Sequence, residues 1–305
     1  MKIGAVVVTF NRLSKLKLSL EKFEEQIHIP SYIIVVDNAS TDGTSEYLRK
    51  WKMEPCGFEK IVVTMERNTG GSGGFHAGLK RGLELDAEWI WVSDDDAFPQ
   101  NDALKQASDY LEAQGEVKGI SAICGKVIKN GKMDISHGKM YSKRGIQICE
   151  TIIPAEKYLQ KEFEMNTFTY VGAIMNREKL LQAGLPNKDY FIYWDDLEHG
   201  MRMSEVGKIV CIPSIVAYHN VDEEDEGINW KLYYAYRNMI DTYSKHFKGV
   251  CYDYFCIKIW IKILLNLLSG KKRIEINILQ EAFSDARNHR LGLHSIYKPG
   301  WKLGG

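Results

Sequence analysis

Along the first hundred positions, short apolar runs alternate with stretches whose apolar residues recur at helical spacing. Ile3–Thr9 is a continuous apolar, β-branched run bounded by polar residues, which is how a strand buried on both faces reads. Leu13, Leu16, Leu20 and Phe23 follow at helical intervals. Ile33–Val36 predicts a second buried strand ending at Asp37, and the turn-forming Asn38–Gly43 leads into a helix through Tyr47 and Leu48. Ile61–Met65 is a third strand, followed by a Gly-rich loop and a helix beginning near Gly74. Trp89–Val92 is a fourth and runs straight into Asp94-Asp95-Asp96; Leu104–Leu111 predicts another helix. Alternation of this kind predicts an α/β fold, a mostly parallel sheet flanked by helices on both faces.

After about residue 115 the pattern loosens. Ile120–Cys124, Tyr170–Met175 and Lys208–His219 read as strands, the last interrupted by Pro213. Asp134–Phe163 has no clear period and reads as a loop covering the substrate. From Trp230 onward the pattern is helical, so residues 1–228 form one domain and residues 229–305 a C-terminal helical region. Within that region Cys251–Leu268 is rich in Ile, Leu, Trp and Phe, yet it carries Lys258 and Lys262, with Lys271-Lys272-Arg273 beyond. Two lysines in its middle argue against a spanning helix. A buried amphipathic helix and a helix lying on an anionic membrane surface both fit, and either could contact an acceptor.

Charge removes some function classes. Lys+Arg is 40 and Asp+Glu is 40, so the chain has no general attraction for nucleic acid, and an anionic ligand needs a local site. The six cysteines are scattered without a Cys-x-x-Cys pair, as expected of buried free thiols in a reducing compartment. The N-terminus opens on a strand rather than a secretory signal, so a cytoplasmic protein is expected.

In α/β sheets ligands sit at the carboxyl ends of the strands. Here those ends carry Thr9, Asn11 and Arg12, then Asp37, then Asn68–Gly74, then Asp94–Asp96, so four segments converge on one cleft. Three adjacent aspartates repel one another unless a divalent cation on a diphosphate relieves them. If the strand continues, Asp94 and Asp96 point the same way, and oxygen ligands favour Mg²⁺ or Mn²⁺. His219 closes another strand and could complete such a site. The bland alternative is a solvated acidic loop. Asp195 and Asp196 follow Phe191-Ile192-Tyr193-Trp194; aromatic shielding raises a carboxylate's pKa and suits a general base. A helix N-cap explains the same residues, opening the helix of Glu198 and Arg202. Asn68–Gly74 permits close backbone approach to a ligand, but it lacks the Gly-Lys-Ser/Thr of a phosphate loop.

Val8-Thr9-Phe10-Asn11-Arg12, Val36–Thr44, the glycine-rich loop and the aspartate triplet together resemble the family 2 glycosyltransferases over roughly residues 1–240. Within that family, Asn68–Phe75, Asp94–Asp96 and Trp194-Asp195-Asp196 look most like the galactofuranosyltransferases, with rhamnosyltransferases as the nearest rival. The resemblance implies a GT-A fold and an inverting displacement with no covalent enzyme intermediate. It implies that a sugar nucleotide, UDP-galactofuranose or else dTDP-rhamnose, meets Thr9, Asn11, Arg12, Asp37, Asn68, Gly74, Asp94 and Asp95. It implies that Mn²⁺ or Mg²⁺ is held by Asp94, Asp96 and His219, and that Asp196 is the catalytic base. Trp194, Asp195, Arg202, Tyr236 and Arg237 fall on the acceptor side, the last two within Tyr233–Asn238. The acceptor implied is a lipid-linked or oligosaccharide glycan, met at the inner face of the plasma membrane. The chain is much shorter than the large polymerising members, which points to single-sugar addition. Two other classes compete: a nucleotidyltransferase, which normally has a glycine-rich basic loop after its first strand, and an inactive sugar-nucleotide-binding scaffold.

Overall fold

The computed structural model describes residues 1–115, 119–221, 227–269 and 273–303. In chain order the elements are β1 (Ile3–Thr9), α1 (Leu13–Glu24), β2 (Tyr32–Asp37), α2 (Thr44–Trp51), β3 (Glu59–Thr64), α3 (Gly70–Gly82), β4 (Trp89–Asp94), β5 (Ala97–Pro99) and α4 (Ala103–Ala113). There follow β6 (Ile120–Lys129), β7 (Lys132–Met133), β8 (Lys139–Arg144), β9 (Gln147–Ile152), β10 (Phe163–Met165), β11 (Ala173–Asn176), α5 (Arg177–Ala183), α6 (Asp195–Val206) and β12 (Lys208–His219). Three helices close the chain: α7 (Lys231–His246), α8 (Val250–Leu268) and α9 (Ile274–Arg287).

The main sheet runs β10-β12-β6-β11-β4-β1-β2-β3. Its β4-β1-β2-β3 half is parallel throughout, while β11 lies antiparallel between β4 and β6. The chain steps from β1 to β2 and β3 on one side, then returns to place β4 on the other. β1 and β4 therefore flank the topological switch point, where open α/β sheets hold ligands. Both strands end there, β1 at Thr9 and β4 at Asp94.

Alternate residues of the buried strands serve two cores. Ala5 and Val7 pack with Leu16, Leu20, Phe23, Trp51 and Leu104, covering one face with α1, α2 and α4. Val6, Val8 and Val36 pack with Phe75, Leu79, Leu180 and Met203, covering the other with α3, α5 and α6. A third cluster lies among α7, α8 and α9, around Ile240, Ile259, Ile263, Leu279 and Phe283.

Three expectations change. The glycine-rich stretch is not a loop ahead of a helix near Gly74: the helix starts at Gly70. Gly74 and Gly78 are the close-packing face of α3, since a Cβ at either would lie 2.4 Å from the Cγ1 of Val8 or Val6. Second, Asp134–Phe163 is not a structureless cover: β8 and β9 form a hairpin in register from Lys139↔Ile152 to Arg144↔Gln147. Its strands are mostly exposed, which hides the two-residue period. Third, the fourth strand stops at Asp94, and Asp95-Asp96 form the turn into β5, so the triplet does not alternate as a strand would. All six cysteines are free, but Cys56 is exposed and Cys149 half-buried rather than buried. Lys271 and Lys272 lie outside the described residues.

Candidate active site

The turn after β4 is tied to β1 by side chains. Thr9 donates its hydroxyl to Asp95 Oδ2 at 2.8 Å. Arg12 Nη1 reaches Asp96 Oδ2 at 2.8 Å and Asp95 Oδ1 at 3.3 Å. Asn220 N donates to the Asp96 carbonyl at 2.7 Å, which brings the end of β12 to the same place. His219, paired there with Ala97, sets its Nε2 3.6 Å from Asp96 Oδ1.

The three carboxyls differ sharply in environment. Burial, with the charges of Asp96, Asp95 and Asp195 behind it, pushes Asp94 well above the ordinary carboxylate range. Asp94 receives no hydrogen bond among the described residues. Burial pushes Asp95 up to about 6 against the pull of Arg12 and Thr9. Burial opposes ionisation of Asp96 too, but His219 and Arg12 outweigh it and hold Asp96 below the ordinary range.

The nucleotide-side loops are stitched together. Asn38 donates to Asn68 Oδ1 at 3.2 Å and to the Gly70 carbonyl at 2.9 Å, and accepts from Thr69 N and Oγ1 at 3.0 Å. Asn68 also accepts from Gly70 N at 2.8 Å. Asn11, with φ of 53°, accepts from Thr41 N at 2.7 Å. Asp37 is fully buried and accepts from Ser40 N and the Ser45 hydroxyl, so it shapes the loop that follows β2. Of the glycines in this stretch, Gly71 is the one at which a Cβ would meet nothing within 4 Å.

Facing Asp94 is the start of α6. Its N-cap is Trp194, in the left-handed region, and Asp195 and Asp196 are the first helical residues rather than the cap. A helix N-terminus favours negative charge, and Leu197 N donates to Asp196 Oδ1 at 2.7 Å. Burial nonetheless dominates. It pushes Asp196 up to about 6, and burial plus the charge of Asp196 pushes Asp195 up to about 8. Each carboxyl disfavours ionisation of the other, so the pair gives up its first proton more readily than its second. The Trp194 ring is spent on packing, with centroids 5.7 Å from Tyr141 and 5.5 Å from Tyr243.

Three residues expected on the acceptor side sit elsewhere. Arg202 pairs with Glu198 at 2.9 Å and donates to the carbonyls of Ala183, Gly184 and Leu185, pinning α6 to the end of α5. Arg237 is 1% exposed and turns to backbone carbonyls. Tyr236 packs among the C-terminal helices, with Lys262 over its ring at 5.9 Å. Sequence patterns cannot separate a buried arginine that binds carbonyls from one that binds substrate. Gly74, expected near the nucleotide, lies against Val8. Asn238, fully buried, binds the carbonyls of the segment that leads to Asp195, a role its residue type does not announce. The Tyr-Tyr-x-x-Arg-Asn run at Tyr233–Asn238 was the available signal for it.

Among the described residues no three histidine, cysteine or acidic side chains are gathered so as to hold a metal ion unaided. The donors present still fit a cation shared with a diphosphate. Asp94 is half-buried, and its carboxyl takes no hydrogen bond among the described residues, while His219 Nδ1 is buried with no hydrogen-bond partner. Ions such as Mg²⁺ commonly take one or two carboxylates and complete their shell with substrate phosphates.

The sequence pattern of Glycosyl transferase family 2 matches residues 5–184. The chain belongs to this family. It is 35% identical over 211 residues to the galactofuranosyltransferase GlfT1 of Mycobacterium tuberculosis, covering 67% of this chain and 65% of that one. It is 22% identical over 274 residues to the galactofuranosyltransferase GlfT2 of Mycolicibacterium smegmatis, covering 76% of this chain and 41% of that one. The chain thus spans about two-fifths to two-thirds of the length of these relatives. Among solved structures, S. aureus TarS 1-349 superposes with a TM-score of 0.61 at 16% identity, over 95% of this chain and 82% of that one. GalNAc-T7 with UDP, GalNAc and Mn²⁺ superposes with a TM-score of 0.62 at 13% identity, over 94% of this chain and 56% of that one. The fold is GT-A, a mixed sheet with flanking helices, as the sequence predicts.

Proposed function

We propose that this glycosyltransferase transfers a single sugar, with inversion, from a nucleotide donor to a hydroxyl of a lipid-linked cell-surface glycan. Galactofuranose from UDP-galactofuranose is the donor we favour, on the 35% identity to a galactofuranosyltransferase. The observation that carries the reading is the meeting of two acidic groups at the switch point: Asp94 of the triplet, half-buried, and the Asp195–Asp196 pair, whose Asp195 is buried and whose charge acts on Asp94.

The two groups suit different halves of a displacement. Asp94, Asp96 and His219 would hold a divalent cation with the donor diphosphate, and that cation would stabilise charge on the departing phosphate. Arg12, beside Asp95 and Asp96, is placed to exchange a carboxylate for a nucleotide phosphate. Asp196, ionised at neutral pH yet held basic by burial, takes the proton of the acceptor hydroxyl. The hydroxyl oxygen then bonds to the anomeric carbon as the bond from that carbon to the diphosphate breaks. Asp195, still protonated, can donate a hydrogen bond to the acceptor.

The same reading places the enzyme at the cytoplasmic face of the plasma membrane. No helix among the described residues is long and apolar enough to cross a membrane. Yet α8 exposes Ile257, Trp260, Ile261, Leu264, Leu265 and Leu268, while its opposite face, Cys256, Ile259 and Ile263, is buried. Lys258 and Lys262 are exposed on the same helix, a combination suited to lying on an anionic bilayer.

The test is to incubate the folded protein with Mn²⁺, a lipid-linked acceptor and a panel of sugar nucleotides, following nucleoside diphosphate release. UDP-galactofuranose is expected to turn over fastest. Turnover of dTDP-rhamnose instead would reassign the donor, and no turnover with any donor would sink the enzymatic reading.

A further inference from the structure

The segment that delivers Asp195 and Asp196 is not fixed by its own sequence. Phe191, Tyr193 and Trp194 all take left-handed φ, of 69°, 64° and 70°, a region bulky side chains avoid. Helix α6 begins after Trp194 without a side-chain cap, so the usual local device for setting a first turn is missing.

The restraint comes from α7. Asn238 directs its amide nitrogen at the carbonyls of Tyr190, Ile192 and Tyr193, at 3.0, 2.9 and 2.9 Å. Its own Oδ1 accepts from Arg237 Nε at 2.9 Å, which fixes the amide's orientation. Arg237 directs its terminal nitrogens at the carbonyls of Asp189, Tyr190 and Gly292, at 3.3, 3.0 and 2.6 Å. Tyr190 is held from the same helix, donating its hydroxyl to Asp241 at 2.6 Å. On the far side Ser72 N donates to the Phe191 carbonyl at 3.3 Å. A Cβ at Gly70 would lie 1.9 Å from that oxygen, so the segment is gripped between α3 and α7.

Packing alone does not account for this choice of residues. Arg237 and Asn238 are 1% and 0% exposed. Among the described residues no carboxylate pairs with Arg237; its charge lies over the rings of Tyr233 and Tyr234, 5.4 and 4.9 Å from their centroids. Burying an arginine this way is costly, and apolar residues would fill the space at less cost. What apolar residues cannot supply is directed bonds to successive carbonyls of a strained segment that ends at Asp195.

We infer that Arg237 and Asn238 are positioning residues for the Asp195–Asp196 pair, holding Asp189–Trp194 in the one backbone path that sets both carboxylates in the cleft beside Asp94. The consequence for transfer rests on the function proposed above; the consequence for the carboxylates does not.

The experiment uses the full chain with Asn238→Ala, Asn238→Ser and Arg237→Met, and UDP with Mn²⁺ as the binding probe. Carboxyl carbon resonances of labelled aspartate, assigned with Asp195→Asn and Asp196→Asn, report the pair directly. In the variants the pair is expected to titrate at least about one pH unit closer to an ordinary carboxylate, as water reaches the loosened segment. UDP affinity should stay within about threefold, and kcat should fall roughly a hundredfold with the donor KM little changed. Asn238→Ser, which keeps a donor, should recover part of both effects. Tyr233→Phe, on the same helix as Arg237 and Asn238, loses a bond to Asp285 of α9 and should move neither. If Asn238→Ala does not fold, Asn238→Ser and Arg237→Met carry the same comparison. Wild-type titration in the folded variants would overturn the inference, as would UDP binding and transfer falling together. If the wild type uses no donor, the proposed function fails while the titration still decides this point.

Discussion

Arg12 Nη1 and Asp96 Oδ2 lie 2.8 Å apart and join the end of β1 to the turn after β4. The same nitrogen is 3.3 Å from Asp95, and both carboxylates are almost fully buried, at 3% and 4% exposure. Truncating one partner of a buried pair strands the other charge. Arg12 is nearly half exposed, so solvent screens part of the effect. Arg12→Met is expected to lose about 1–3 kcal/mol of stability at neutral pH. The sign with pH follows from Asp96, whose folded pKa lies below the ordinary range because His219 and Arg12 outweigh burial. Its contribution is present above the unfolded pKa of about 4 and is lost as pH falls through the folded value. The deficit of Arg12→Met should therefore narrow in acid. Urea unfolding at pH 7.5 and at about pH 3, below the unfolded value, checks this, and an equal deficit at both would mean that only packing was lost.

The Asp195–Asp196 pair gives the opposite linkage. Burial raises Asp196 to about 6, and burial with the charge of Asp196 raises Asp195 to about 8. The folded chain then binds these protons more tightly than the unfolded chain does. Stability is expected to fall as pH rises from about 4 through those two values, then to level off. Catalysis moves the other way, because Asp196 must lose its proton to act as base. kcat should climb with unit slope below about pH 6 and flatten above it. Asp196→Asn should abolish transfer and leave UDP affinity nearly unchanged. If transfer fell only in proportion to binding, Asp196 would be structural.

The first four strands and their helices were legible because the parallel strands are buried on both faces, so Ile3–Thr9 and Ile33–Val36 carry no alternating polar residues to confuse the reading. The convergence of Thr9, Arg12 and the triplet followed from topology alone. What failed was direction. Arg202 and Arg237 read as substrate contacts, but each turns to backbone carbonyls away from the cleft, and nothing in a sequence says which way a guanidinium faces. Asp37 reads as a ligand contact, and the structure adds that it also orders the loop after β2 through Ser40 and Ser45. The β8–β9 hairpin was hidden because neither face of it is continuously buried.

The glycines separate into two kinds, and substitution should separate them in the same way. Gly74→Ala puts a Cβ 2.4 Å from Val8 Cγ1 in the core, and overpacking of that kind costs about 1–3 kcal/mol. Gly71→Ala meets no atom within 4 Å and should leave thermal stability unchanged. Any loss it causes should appear in nucleotide affinity, measured by calorimetry with UDP. Equal destabilisation by both substitutions would contradict the distinction.

For the cation, the discriminating measurement is thermal stability with UDP, in the presence of Mn²⁺ or of a chelator. Binding to the folded state alone raises stability by mass action. UDP with Mn²⁺ should raise the melting temperature by more than UDP with chelator. Asp96→Asn and His219→Ala should each raise the Mn²⁺ concentration needed by roughly tenfold or more. A melting temperature that responds to UDP but not to Mn²⁺ would remove the cation from the site.

The exposed row of α8 makes the last prediction. Ile257, Trp260, Ile261, Leu264 and Leu268 are all exposed along one side of the helix. A contiguous apolar row of this size on an isolated chain needs a cover. Lys258 and Lys262 on the same helix favour an anionic lipid surface over a second apolar protein face. The folded protein should float with vesicles containing anionic lipid and much less with neutral ones, and added salt should weaken the association. Lys258→Glu with Lys262→Glu should remove most of the anionic preference, each lysine near the surface contributing about 1 kcal/mol. Trp260→Ser with Leu264→Ser should weaken binding to both kinds of vesicle, because the apolar contact does not depend on headgroup charge. Flotation unchanged by either pair would rule out α8 as the membrane face. A charge-independent self-association removed by the second pair would instead assign the row to a dimer.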